Sequence, residues 1–357
     1  MSRGPLMIIG GAEDKLRGRA ILKAFVAAAG GPEARIAVIP TASSLGPEIV
    51  EVYDALFRRE GAGEVVAVRP ETREQAHDEA LVAALEAATG VFMTGGNQLK
   101  LSATVCGTPV GDAIVAAHER GAVVAGTSAG ASIQSSHMVA FGGPGSTPKQ
   151  RMTQVAAGLG LLGDSVIDQH FDQRNRYGRL LMITAQSPQL LGIGVDEDTA
   201  AIVEHEVAED GTERQVLRAL GRGAVTIFDP SRIVTDAYEA KRNSPILASG
   251  VVLHVLPQPA RFDLTSRTLV PRETRVDAED AAELAEAGAD LRRMARDITR
   301  DIAADDVSPT QLRRRLARKA RRGRPETPTV SPSENPTETP ETPETPDSQD
   351  AQDGAPR

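Results

Sequence analysis

Between Pro5 and Ser128 the chain repeatedly alternates a short apolar run with a longer amphipathic or alanine-rich stretch. "PLMIIGG" precedes "LRGRAILKAFVAAAG", "RIAVIP" precedes "PEIVEVYDALFRREG", and "EVVAVRP" precedes "REQAHDEALVAALEAATG". "VFMTGG" then leads to "IVAAHERG", and "AVVAGTS" closes the series. A buried strand followed by a helix, over and over, specifies an α/β fold with a mostly parallel sheet and helices on both faces. Later apolar segments, "SVIDQHF", "LLGIGVDEDTAAIV", "VTIFD" and "GVVLHVL", read as further strands, some of them antiparallel.

In such sheets ligands collect at the carboxyl ends of the strands. The residues just past each strand therefore matter most: Gly10-Gly11-Ala12-Glu13, Pro40-Thr41-Ala42-Ser43, Thr94-Gly95-Gly96-Asn97-Gln98 and Gly126-Thr127-Ser128. The fold has 40% hydrophobic residues with which to build a core, but aromatics are 3% and Trp is absent. Its packing is expected to rest on Ala, Val, Leu and Ile. One cysteine, Cys106, excludes an intramolecular disulfide and a multi-cysteine zinc site. The apolar stretch at the N-terminus is too short for a signal peptide, and no run reaches bilayer length. A soluble, cytoplasmic protein is the expectation.

The strand pattern ends near residue 272, and the composition then changes. Residues 273–324 read as a charged helical extension, finishing in the basic run "RRRLARKARRGR". That run is either a solvated helix end or an arm that meets a polyanion. Residues 325–357 form a Pro/Thr/Glu-rich tail with too few large apolar residues to offset the entropy of ordering, and disorder is expected there. The tail holds eight acidic residues and one basic, so it accounts for −7 of the net charge of −9. The rest of the chain is nearly balanced, which argues against a nucleic-acid surface.

"GTSAG" (126–130) fits the pattern G-x-S-x-G, in which a serine occupies a sharp strand-to-helix turn. Such a turn aims backbone N–H groups at developing negative charge. The same small residues also occur where a chain merely bends into its next helix, so the pentapeptide alone leaves both readings open. A serine nucleophile needs a base, and the base needs an acid to orient it. His77 and His118 lie in charged helical stretches, where solvation is expected; His205, between glutamates, is expected to be exposed. His254 sits in an alternating strand as a structural residue, and His137 is carried away by the helix after the elbow. His170 ends an apolar strand among polar residues, with Arg174, Arg176 and Arg179 close behind. In "GIGVDEDTA", Asp196 and Glu197 are equally placed as the acid, and each of Asp196, Glu197 and Asp198 is also a plausible turn residue. The order serine, histidine, acid differs from the α/β-hydrolase order, in which the acid precedes the histidine. A dinucleotide fold is not indicated either, since "GPLMIIGGAED" lacks the G-x-G-x-x-G spacing.

Taken together, "GGAEDK", "IPTAS", "FMTGGNQLKL", "GTSAGAS", "DQHFDQRNRYGRL", "GIGVDEDTA" and "GRGAVTIFD", in that order, resemble the cyanophycinases, serine peptidases related to dipeptidase E. The resemblance covers residues 5–272. It implies a flavodoxin-like or class I glutamine amidotransferase-like fold, with Ser128 as nucleophile, His170 as base and Glu197 as acid. It implies an oxyanion hole from the backbone of Gly95 or Gly96 beside that of Ala129. Gln98, Asp168, Gln169, Arg174, Arg176 and Arg179 match positions that line the substrate pocket, although a structural salt bridge is a strong alternative for Arg179. The implied substrate is the cyanophycin polymer, an aspartate backbone bearing arginines on its β-carboxyls, and the implied product is the β-aspartyl-arginine dipeptide. Enzyme guanidiniums suit the free carboxylates of such a polymer, and Asp168 or Asp172 would suit its positive end. A homodimer is implied too. No metal and no cofactor are expected, nor a membrane or nucleic-acid partner. Two other readings remain: a serine dipeptidase for soluble aspartyl or isoaspartyl peptides, and an inactive scaffold that uses the basic run and tail.

Overall fold

Strand residues alternate their side chains between the two faces of a sheet, so a strand buried on both faces must be apolar throughout. The first strands meet that condition. In the computed structural model, which describes residues 3–207, 211–271 and four positions further on (289, 292, 293 and 296), β1 (Leu6–Ile9) sends Leu6 and Ile8 into one core and Met7 and Ile9 into another. β2 (Arg35–Ile39), β4 (Gly90–Met93) and β5 (Val123–Thr127) divide in the same way, and β3 (Glu64–Ala67) forms the edge. Helices α1 (Ala20–Ala28) and α2 (Glu48–Arg59) cover the face of Met7. The opposite face is covered by α3 (Glu79–Glu86), α4 (Gln98–Val105), α5 (Pro109–Glu119) and α6 (Ala129–Ser132). Local chemistry starts several of these helices. Asp78, Asn97 and Thr108 each accept from backbone N–H groups of the first turn, and Pro109 follows Thr108 where its missing N–H costs nothing.

The remaining strands are β6 (His137–Gly142), β7 (Thr153–Ala157), β8 (Ser165–Gln169), β9 (Leu191–Val195), β10 (Thr199–Val207), β11 (Glu213–Gly221) and β12 (Ala224–Asp229). They continue through β13 (Val234–Thr235), β14 (Ala248–Ser249), β15 (Val252–Pro257), β16 (Arg261–Asp263) and β17 (Thr268–Val270), and α7 (Tyr177–Gln186) follows β8. The principal sheet has the order β17-β16-β11-β10-β1-β5-β4-β2-β3. Only the half from β1 to β3 is parallel; from β1 outward through β10, β11, β16 and β17 every pairing is antiparallel. A mostly parallel sheet is thus corrected to a half-parallel one. The reason is that β10 and β11, and likewise β16 and β17, are joined by connections too short for a crossover helix. A second sheet, β15-β12-β9-β8, stands beside it, with β8 and β9 parallel.

Aromatic residues contribute more packing than their scarcity suggests. Phe25, Tyr53, Phe57 and Phe92 meet with ring centroids 4.6–5.6 Å apart, and Phe171, Tyr177 and Phe228 form a second group. Burying each such ring contributes about 1.5–3 kcal/mol relative to leaving it exposed. His118 is also not where its charged neighbours suggest. It lies on the inner side of α5, 2% exposed, facing His205 at 6.1 Å between ring centroids, and burial pushes its pKa down to about 4. His205 is half-buried rather than exposed.

Among the described residues no helix is long and apolar enough to cross a membrane. The expected charged extension at 273–324, apart from isolated helical positions, and the expected tail at 325–357 lie outside the described residues.

Candidate active site

β5 ends at Thr127, and Ser128 turns the chain into α6 with φ 53° and ψ −106°. A residue with a Cβ pays about 1–3 kcal/mol for such a conformation, so the surroundings must hold it there. The flanking glycines permit the turn. A Cβ on Gly126 would lie 2.0 Å from the Gly130 carbonyl oxygen, and one on Gly130 would lie 2.2 Å from that of Met93. The pattern G-x-S-x-G is therefore a steric requirement at this elbow.

His170 and Glu197 arrive from the other sheet, at the ends of β8 and β9. Ser128 Oγ lies 2.8 Å from His170 Nε2, and His170 Nδ1 lies 2.6 Å from Glu197 Oε1. Asp196 and Asp198, the neighbouring acids, are occupied elsewhere. Asp196 Oδ1 accepts from the Asp172 N–H and its Oδ2 from the Ala224 N–H, while Asp198 Oδ1 accepts from the Asp14 N–H. The Glu197 N–H donates to Gln173 Oε1 at 2.8 Å. Sequence reading overlooked Gln173, whose only signal was its place between Asp172 and the arginines. The outer side of Glu197 borders a cleft lined also by Asp14, Arg17, Gln173 and Arg222.

Left-handed backbone recurs around this group: Ala12 (φ 49°), His170 (φ 47°) and Asp198 (φ 50°) share it with Ser128. All four lie just beyond a strand end, where strain is commonly stored at functional sites. Gly11 is also required, because a Cβ there would stand 2.2 Å from His170 Cε1. Burial lowers the His170 pKa, and the charges of Arg174 and Arg176 reinforce this; the hydrogen bond and charge of Glu197 oppose it without reversing it. The imidazole is thereby kept neutral, able to accept a proton at Nε2.

The expected oxyanion groups border the serine. Ala129 follows it directly at the start of α6, and a Cβ on Gly95 would lie 3.3 Å from Ser128 Cβ and 3.9 Å from its Oγ. Gly96, with φ 142°, lies on the same turn after β4.

The residues expected to line the pocket divide into two groups. Arg174 is exposed on the turn after His170, as is Asp172. Gln98 is half-buried at the start of α4, its Nε2 donating to the carbonyls of Val139 and Ala140 at 2.8 Å each. Asp168, by contrast, is 0% exposed. Its Oδ2 accepts from Arg179 Nε at 2.6 Å, and its Oδ1 accepts from Arg176 Nη1 at 3.0 Å and from Arg179 Nη2. Arg176 also donates to the Gln169 carbonyl, and burial brings its pKa down to about 10, leaving it charged at neutral pH. Gln169 is buried and accepts from Ser132 Oγ at 2.7 Å. Asp168, Gln169, Arg176 and Arg179 are thus buried and engaged with one another or with neighbouring groups. An aspartate flanked by arginines reads the same in sequence whether it meets a ligand or its own neighbours.

The family model for peptidase family S51 matches residues 6–210. Three curated proteins described as cyanophycinases are similar to the chain. The one from Nostoc sp. is 41% identical over 276 residues, 76% of this chain and 90% of the relative. The one from Trichormus variabilis has the same identity and coverage, and the one from Synechococcus elongatus is 42% identical over 258 residues, 71% of this chain and 77% of the relative.

Proposed function

The chain belongs to peptidase family S51 and is a serine-type hydrolase, and on that premise we propose that it is a cyanophycinase acting through Ser128, His170 and Glu197. The observation that carries the chemistry is the hydrogen-bonded series from Ser128 Oγ through His170 to Glu197, on an elbow held in a strained conformation. The choice of polymer rests on the cyanophycinases that match most of the chain.

Ser128 Oγ attacks the scissile carbonyl while its proton passes to His170 Nε2. Glu197 orients the imidazole through Nδ1 and stabilises the imidazolium. The carbonyl oxygen, now negative, is received by the backbone N–H groups of Ala129 and of Gly95 or Gly96. Collapse expels the leaving amine, which takes the proton from His170, and an acyl ester remains on Ser128. Water then repeats the sequence and frees the serine. Arg174 is assigned to a substrate carboxylate and Gln98 to a polar group of the bound unit. Asp168, Gln169, Arg176 and Arg179 are assigned to holding the turn from below.

The order β3-β2-β4-β5 supports a flavodoxin-like reading, since it reproduces the 2-1-3-4 start of that order after relabelling. A catalytic unit at 1–272, a cytoplasmic location and a homodimer complete the proposal.

Purified protein should clear insoluble cyanophycin and release β-aspartyl-arginine, identified by mass spectrometry. Intact polymer with rapid turnover of small aspartyl peptides would instead assign the soluble dipeptidase function. The pH profile supplies a second check. Proton acceptance needs neutral His170, and its pKa is lowered. kcat/KM should therefore climb about tenfold per unit at acid pH, bend at a midpoint below the ordinary histidine value of 6.5, and be level by neutrality. A midpoint above 6.5, or no acid limb, contradicts His170 as the base.

A further inference from the structure

The segment "GGAEDK" has no part in the hydrolytic steps above, yet its residues touch all three of the turns that bear the reacting groups. Glu13, 4% exposed, is the centre of these contacts. Its Oε1 accepts from the Tyr53 hydroxyl and the Lys15 ammonium, each at 2.6 Å, and its Oε2 accepts from Thr127 Oγ1 at 2.6 Å. Burial alone would push this carboxyl up; the Lys15 charge and the three hydrogen bonds outweigh it and hold the group below the ordinary value, so it is ionised. Tyr53 belongs to the aromatic cluster beneath the sheet, which gives the carboxylate a rigid base.

Thr127 is the residue immediately before Ser128. On the backbone side, Ser128 N–H donates to the Ile9 carbonyl at 3.0 Å, so the strained elbow is tied twice to the chain that leaves β1. The same chain reaches the other two turns. The Gly10 carbonyl accepts from His170 N–H at 2.8 Å, the Gly11 carbonyl accepts from Asp198 N–H at 2.9 Å, and Asp14 N–H donates to Asp198 Oδ1 at 2.8 Å. We infer that Glu13 is a positioning residue for hydrolysis: through Thr127 it fixes the elbow, and through its own loop it keeps Ser128 in register with His170 and Glu197. This rests on Ser128 being the nucleophile.

A charge-assisted bond to Thr127 resists rotation of the elbow more firmly than a neutral one. Loosening it lets the Ser128–His170 distance drift, and misplacement on the scale of an ångström costs a reaction on the order of a hundredfold. The loss falls on reaction at Ser128, because Thr127, to which Glu13 is bonded, is its immediate neighbour in the chain.

The test is the rate at which a fluorophosphonate labels Ser128, since that reagent reports the nucleophile without needing the polymer. Full-length wild type, Ser128→Ala, Glu13→Gln, Thr127→Val, Thr127→Ser and the Glu13→Gln/Thr127→Val pair are compared at a temperature where circular dichroism shows each folded. Glu13→Gln and Thr127→Val should each label about ten- to a hundredfold more slowly. Thr127→Ser, which keeps the hydroxyl, should restore most of the rate, and the double variant should be no slower than the worse single one, because both changes cut one connection. A folded Glu13→Gln or Thr127→Val labelling at the wild-type rate overturns the inference, as do multiplying losses or a Thr127→Ser as slow as Thr127→Val. If Glu13→Gln does not fold, the two Thr127 variants decide. A wild type that is not labelled, or a Ser128→Ala that is, removes the nucleophile and the inference with it.

Discussion

Replacing Ser128 by alanine should reduce dipeptide release from cyanophycin by about a thousandfold to a millionfold while leaving the protein folded. The acyl ester needs an oxygen at this point on the elbow, and no other side chain lies at the end of β5 facing His170 Nε2 among the described contacts. Alanine retains the strained φ of 53°, so its thermal midpoint should remain near that of wild type. Glycine at the same position should be equally inactive and more stable by about 1 kcal/mol, because it carries no Cβ to crowd a left-handed turn. Release measured by mass spectrometry at more than about a hundredth of the wild-type rate would refute the role of Ser128. Combining Ser128→Ala with His170→Ala or Glu197→Gln should add little further loss, since the three act as a unit.

Asp168→Ala should be the most destabilising single change on the turn that bears His170. The carboxylate is fully buried and meets both Arg176 and Arg179, whose guanidiniums are themselves nearly buried. Removing it leaves two positive charges facing each other with their common partner gone. Breaking a buried ion pair from one side costs about 3–5 kcal/mol, a large share of the 5–15 kcal/mol that typically separates folded from unfolded protein. At about 2–4 °C per kcal/mol for a domain of this size, the thermal midpoint should drop by roughly 10 °C. Asp168→Asn, which keeps one acceptor and loses the charge, should fall between wild type and Asp168→Ala. A urea-derived loss under about 1 kcal/mol for Asp168→Ala would show that this charge cluster does not support the turn.

How much of this was legible in the sequence depended on the range over which the controlling interactions act. Continuous apolar runs stopped by Gly, Pro or Thr specified β1, β2, β4 and β5, because a strand buried on both faces has no other composition. The site was legible wherever a residue type met a local backbone requirement, as with Ser128 between Gly126 and Gly130. The antiparallel half of the sheet was less visible, since alternation identifies a strand without naming its neighbour. His118 was misjudged because charged residues beside it on α5 hide the fact that its own direction points inward.

From the sequence alone came the strand-and-helix order, the elbow at Ser128, and the short list of strand-end residues able to accompany it. Those follow from local geometry and burial, which act over a few residues. Only the tertiary structure decided that Ser128 comes from one sheet and His170 and Glu197 from another; Glu197, which spacing left level with Asp196 and the family resemblance favoured, is the acid that meets the histidine. The tertiary structure alone set Asp168, buried, against Arg176 and Arg179 and made Glu13 a buried link to the elbow. These are distances between residues far apart in the chain, set by how two sheets pack, and no local spacing encodes them.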